Sequence, residues 1–166
     1  MGGAVSGVEL HLRARPIPSY LDTLLAFQRE VAPRLTIVCH EPAAPDDMVR
    51  LAEPYDAGLA CDEPLGLSRQ FCLANKLFTY LAAGVPVILS RTPAQARIEL
   101  ELGGAAFGYE CGDPDGVAQI LTRLSSDAGL RECSRAAARA AAERRWHWEH
   151  AEDRGALLTA VAGAIR

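Results

Sequence analysis

Lysine is almost missing from this chain. It occurs once, at Lys76, and arginine supplies every other basic residue. The formal charge is -4, so the basic excess expected of a non-specific nucleic-acid binder is lacking, and no nucleic-acid partner is expected. No apolar run approaches the length that crosses a bilayer. The start, MGGAVSGVELHL, lacks a basic segment followed by an apolar one, so no signal peptide is expected. The five cysteines (Cys39, Cys61, Cys72, Cys111 and Cys133) form no CxxC. Three of them fall in or beside expected strands, which points to buried, reduced thiols in a cytosolic protein. No Walker lysine motif is present, and no GxGxxG follows the first strand. GLSRQ fails the GxSxG elbow. These absences argue against a P-loop ATPase, an ordinary dinucleotide dehydrogenase and an elbow-type hydrolase. There is no internal repeat and no low-complexity linker, and 166 residues suffice for one domain with a real core.

What is present alternates between strand and helix. Val8, Leu10 and Leu12 alternate with Glu9, His11 and Arg13, a strand pattern that Pro16 and Pro18 end. Ser19 can cap a helix carrying Leu21, Leu24, Leu25 and Val31. Leu35 to Cys39 is an apolar strand ending at His40. Pro45 suits the first turn of a short helix with Asp46 and Asp47 at its positive end, and Pro54 closes it. Tyr55 to Cys61 is the next strand, and Asp62 to Gln70 has the turn chemistry of a loop.

The stretch from Asn75 to Ser90 organises the rest. Leu77, Phe78 and Leu81 recur at helical spacing, Gly84 stands where a helix stop belongs, and Pro86 forbids continuation. Val85, Val87, Ile88 and Leu89 then read as a strand covered on both faces. Thr92, Pro93 and Gln95 form a capping-box signature for a helix running to about Leu102. Ala105 to Cys111 is a last, weaker strand, and Asp113 with Pro114 starts a helix bearing Val117, Ile120, Leu121 and Leu124. Two further helices follow, one centred on the alanine-rich run Ala136 to Arg145 and one from Trp148 to Ile165.

This order predicts an α/β fold: a Rossmann-like parallel sheet with helices on both faces and a helical C-terminal tail, one domain over residues 1–166. In such sheets ligands bind beyond the carboxyl ends of the strands. Topology therefore gathers His40, the 62–70 loop, Asn75, Lys76, Ser90 and Arg91 along one edge. Lys76 opens a helix, where unpaired N–H groups and a partial positive charge favour an anion such as phosphate. A solvated lysine on an exposed first turn is the plainer alternative. Arg69 and His40 are further candidates for phosphate or sugar, each against the same plain alternative of an exposed polar residue.

The segment NKLFTYLAAGVPVILS, preceded by YDAGLACDEPLGLSRQ and followed by GDPDGVAQILTRL, resembles the C-terminal, donor-binding half of GT-B glycosyltransferases. It is most similar to the glycosyltransferase family 4 group that makes bacterial surface polysaccharides. The resemblance implies that the chain binds a nucleotide-sugar such as a UDP- or GDP-sugar, with Lys76 at the diphosphate and Asn75 beside it. It implies no metal and no other cofactor. Where many of these enzymes carry a ribose-binding glutamate this chain has Thr79, and an earlier glutamate of the same motif falls at Phe71. Glu63 is a possible substitute from the loop. The resemblance also implies a location in the cytoplasm or peripherally at the inner membrane. The acceptor glycan or lipid-linked sugar would be held by an N-terminal domain that this sequence lacks. The first strand and helix of the donor half also have no counterpart. The strands flanking that gap would then pair directly or leave it open, and transfer by this chain alone is not expected.

Two other readings come from the residues. A non-catalytic Rossmann-like module could bind a nucleotide, or dock onto itself or a partner that supplies a strand. Trp146, His147, Trp148, Glu149 and His150 are clustered, and two histidines three apart permit metal ligation, but no third ligand has a recognisable spacing. The tryptophans are expected to pack the tail onto the domain.

Overall fold

The computed structural model describes residues 7–15, 17–146 and 151–164. Among the described residues five strands and eight α-helices follow one another, alternating up to β5 except where α3 and α4 are consecutive. β1 (Glu9–Arg13), α1 (Pro18–Val31) and β2 (Thr36–His40) come first. A 3-10 turn (Pro45–Asp47), α2 (Met48–Ala52) and β3 (Gly58–Ala60) follow. Then come α3 (Leu67–Phe71), α4 (Asn75–Ala82), β4 (Val87–Ser90), α5 (Pro93–Leu102) and β5 (Ala106–Tyr109). The chain ends in α6 (Pro114–Ser126), α7 (Ala128–Arg144) and α8 (Ala151–Ala164).

Every strand pair is parallel, but the strands form two sheets. β1 pairs with β2 from Glu9↔Thr36 to Arg13↔His40, and β3, β4 and β5 form a second sheet in that order. Among the described residues β1 and β3 do not pair with each other. β4 is the axis of the larger sheet, and all four of its residues are buried. Val87 and Leu89 face Leu77, Leu81, Ile98, Leu102, Ala138 and Ala141, whereas Ile88 meets Ile120 and Leu124 of α6. This alternation puts helices on both faces of the sheet. Among the described residues, every buried one lies between Ala52 and Ala142. The β1–α1–β2 unit contributes none.

Local signals explain the element ends. α4 closes on a Schellman motif: Gly84 has φ 64, its N–H donates to the Leu81 carbonyl at 2.9 Å, and the Val85 N–H donates to the Tyr80 carbonyl at 2.9 Å. Gly58 opens β3 because a Cβ there would lie inside the Tyr80 ring, so α4 packs directly on the strand. Asp113 caps α6 through the Gly116 N–H at 3.0 Å, and Asp127 caps α7 through the Leu130 N–H at 2.8 Å. From α7, Arg135 donates to the Glu53 carbonyl at 2.7 Å and the Tyr55 carbonyl at 2.6 Å, fixing the turn into β3.

Several expectations are corrected. All five cysteines are free and exposed, not buried. They sit on the uncovered β1–β2 sheet, just past strand or helix ends, or on the outer side of α7. Ser19 lies inside α1, whose N-cap is Ile17, and Val31 is exposed. The strand expected from Tyr55 to Cys61 is only three residues long, and the loop after it winds into α3 at its end. Trp146, just after α7, packs against the domain and stacks on Phe78 at 5.9 Å. Trp148 and the His147–His150 pair lie outside the described residues. α8 is exposed wherever its side chains are described.

Candidate functional site

The strands of the larger sheet are parallel, and each helix between them runs back against them. The N-terminus of α4, the start of α5 and the 61–71 segment therefore share the carboxyl edge with Ser90, Arg91 and Tyr109.

Asn75 and Lys76 form the first turn of α4 and are both exposed. The N-cap is Ala74, which offers no side-chain cap, so the first amides of the helix keep their donors free of one. Among the described residues no hydrogen bond or ion pair engages the Lys76 ammonium. Thr79 is half-buried, and its hydroxyl donates back to the Asn75 carbonyl at 3.4 Å. Glu63 is exposed in the loop. Arg69 belongs to α3 and stands 3.9 Å from Asp62.

His40 is engaged elsewhere. Its Nε2 lies 2.8 Å from His11 Nδ1 and 3.3 Å from the Tyr55 hydroxyl, and His11 Nε2 reaches Glu9 at 3.0 Å. The two imidazoles stack at 5.1 Å, and Tyr55 tilts against His11 at 4.9 Å. This cluster ties the β1–β2 sheet to the turn entering β3. Thus Asn75, Lys76 and Thr79 share one helix and Arg69 joins Asp62, while His40 belongs to the junction between the sheets.

A hydrogen-bonded polar group at the edge is centred on Asp62. Ser90 is buried, and its Oγ accepts from the Asp62 N–H at 2.8 Å while donating to the Asp62 carbonyl at 2.6 Å. Gln95 is fully buried, and its Nε2 donates to Asp62 Oδ2 at 2.7 Å. The capping box is therefore half-formed: Thr92 accepts the Gln95 N–H at 3.4 Å, but the Gln95 side chain turns to Asp62. The sequence offered the loop containing Asp62 but no sign that Ser90 and Gln95 converge on it.

Two neighbours are electrostatically tuned. Burial first, then the Cys61 thiol beside it, pushes the Tyr109 phenol above its ordinary value, and hydrogen bonding to Ser90 opposes the rise. Arg91 grips Glu99 through two bonds of 2.8 and 3.0 Å, and Glu99 also accepts the Gly108 N–H at 2.8 Å. The guanidinium, with help from that N–H, holds the Glu99 carboxyl below the usual range although burial raises it. This clamp locks α5 to the ends of β4 and β5. Among the described residues no group of three or more His, Cys, Asp or Glu side chains could hold a metal ion. No helix among them is long and apolar enough to cross a membrane.

The edge thus offers a free ammonium at an open helix start and an anchored carboxylate on the loop after β3. Comparison with curated proteins gives no match. A model of the glycosyl transferase-like family matches residues 19–154, which include α4, the loop before it, β4 and the whole Asp62 group. That match covers most of the sequence, and the chain belongs to the glycosyl transferase-like family.

Proposed function

We propose that this chain binds the nucleotide-sugar donor for glycosyl transfer to an acceptor hydroxyl, as the donor half of a GT-B enzyme of surface polysaccharide or glycoconjugate synthesis. The observation that carries the reading is Lys76, the only lysine, unpaired among the described residues on the uncapped first turn of α4 at the carboxyl edge. Cleaving the sugar–phosphate bond develops negative charge on the departing diphosphate. A fixed ammonium and free helix amides stabilise that charge as it forms, without a metal. Asn75 lies beside the same phosphates, Arg69 is a second cation, and Thr79 or Glu63 meets the ribose. The acceptor would be brought by a further domain, and the isolated chain would bind donor without transferring it. The reaction belongs at the cytoplasmic face of the membrane.

A thermal-shift titration of wild type and Lys76→Ala with UDP, GDP and their sugar conjugates tests this. Saturable stabilisation of wild type, lost or at least tenfold weaker in Lys76→Ala, is expected, and it also identifies the base. An equal response from both proteins would remove Lys76 from the site.

One observation favours a second reading, a docking module that takes a strand from a partner or another copy. Among the described residues β1 pairs only with β2 and β3 only with β4, so each leaves an edge unpaired. Self-association seen by analytical ultracentrifugation, with no response to any nucleotide, would favour it.

A further inference from the structure

We infer that Asp62 is a further residue that recognises sugar hydroxyls in this site, beside Thr79 or Glu63. The inference rests on the donor-binding reading above and adds a residue to it. Its basis is how the chain holds one carboxylate. Ser90 ties both the N–H and the carbonyl of Asp62, and the fully buried Gln95 side chain fixes Oδ2. Holding a loop in place needs only the two backbone bonds. The third bond, from a buried amide, sets the direction of the carboxylate itself. Among the described residues its other oxygen, Oδ1, is paired only with Arg69, at 3.9 Å, and that guanidinium is 61% exposed. A carboxylate offers about four acceptor positions, so most of this one's capacity is unused. The side chain is 20% exposed, enough to be reached from the edge of the sheet.

Charge decides which part of a donor can sit there. A diphosphate would be repelled by Asp62 and drawn towards Lys76. Vicinal hydroxyls have the opposite preference, because an O–H donor to a carboxylate makes a short, charge-assisted bond. The ribose and the transferred pyranose both carry such hydroxyls. The site is therefore polar in a defined sense: cation and helix amides for phosphate, anchored carboxylate for sugar. Ser90 and Gln95 are positioning residues that act through Asp62.

The test is calorimetric titration of wild type, Asp62→Asn, Asp62→Ala and Lys76→Ala with UDP, GDP, their 2′-deoxy forms, UDP-glucose and GDP-mannose. Circular dichroism and a cooperative melt check that each variant is folded, a lower midpoint being expected for Asp62→Ala, which leaves the Gln95 amide unpaired. Asp62→Asn keeps an acceptor for Gln95 and loses the charge. The expected result is that wild type prefers the ligand with the extra hydroxyls, and that Asp62→Asn and Asp62→Ala reduce this preference about ten- to a hundredfold. Binding of the ligand that lacks those hydroxyls would be unchanged. Loss confined to the sugar conjugate assigns Asp62 to the transferred sugar. Loss confined to the ribo-against-deoxy comparison assigns it to the ribose. Folded Asp62 variants that bind every ligand as wild type does, or weaken all of them equally, overturn the inference while Lys76-dependent diphosphate binding still stands. No binding of any nucleotide by wild type overturns both.

Discussion

Gly108 lies against the carboxylate of Glu99, and this contact gives a sharp test of the clamp behind the candidate site. A Cβ built on Gly108 would fall 2.5 Å from Glu99 Oε1 and closer still to Oε2, where no real Cβ sits. In Gly108→Ala the carboxylate must therefore leave. It takes with it the 2.8 Å bond from the Gly108 N–H and at least one of the two bonds to Arg91. A hydrogen bond to a charged group contributes about 1.5–3 kcal/mol net. Arg91 is 40% exposed, which discounts its share. The sum is about 2–4 kcal/mol, or a melting temperature lower by about 4–12 °C for a chain of this size. The cost should depend on Glu99. With the carboxylate removed in Glu99→Ala, the space over Gly108 is open, and adding Gly108→Ala should cost no more than about 0.5 kcal/mol. Urea denaturation of wild type, both single variants and the double variant at neutral pH measures the cycle, with an unchanged slope confirming that compactness is unaltered. Equal costs for Gly108→Ala in both backgrounds would refute the placement of Glu99 over the strand.

The same carboxylate sets a pH dependence. Its folded value lies below the ordinary one, so its contribution is full above the ordinary carboxylate range and disappears as pH falls through the lowered value. Wild type should therefore lose more stability than Glu99→Gln between about pH 5 and pH 2, and parallel acid-denaturation curves would contradict this. In the core, Leu81 is completely buried between the larger sheet and α7. Leu81→Ala should cost about 2–5 kcal/mol by urea titration, and a loss below about 1 kcal/mol would mean that the helix packs elsewhere.

The sequence specified what local chemistry determines. Gly84 and Pro86 mark the end of α4 because a left-handed turn and a missing N–H act within four residues of the helix. Thr92 with Pro93, and Asp113 with Pro114, start α5 and α6 for the same reason: an acceptor side chain meets an amide three residues on. α1 starts ahead of its local signal: Ser19 has the chemistry of a cap, but the N-cap is Ile17 and no side chain caps the helix. Division of the strands into two sheets was beyond local chemistry. The alternation in β1 and the apolar run in β2 read the same whether or not a neighbour lies beyond β1, and pairing is decided between residues far apart in the chain. The cysteines illustrate the same limit. Cys39 lies inside a strand, which suggested burial, but the sheet containing it has no covering layer at that position, so its thiol is exposed.

The candidate site divides along the same line. Lys76 stood out because its residue type is unique and its place at a helix start is a local property. Asp62 did not stand out, because it is one aspartate among many and its partners are 28 and 33 residues away. What distinguishes it is that a fully buried glutamine and a buried serine, neither needed to close a helix or a strand, both turn towards it. Burying an amide is costly unless its donors are satisfied, so Gln95 is stable where it is because residue 62 presents an acceptor oxygen. The dependence is mutual: the core fixes the carboxylate and the carboxylate satisfies the core. That coupling keeps an acceptor oriented at the mouth of a parallel sheet before any ligand arrives, which lowers the entropic cost of binding a hydroxyl there.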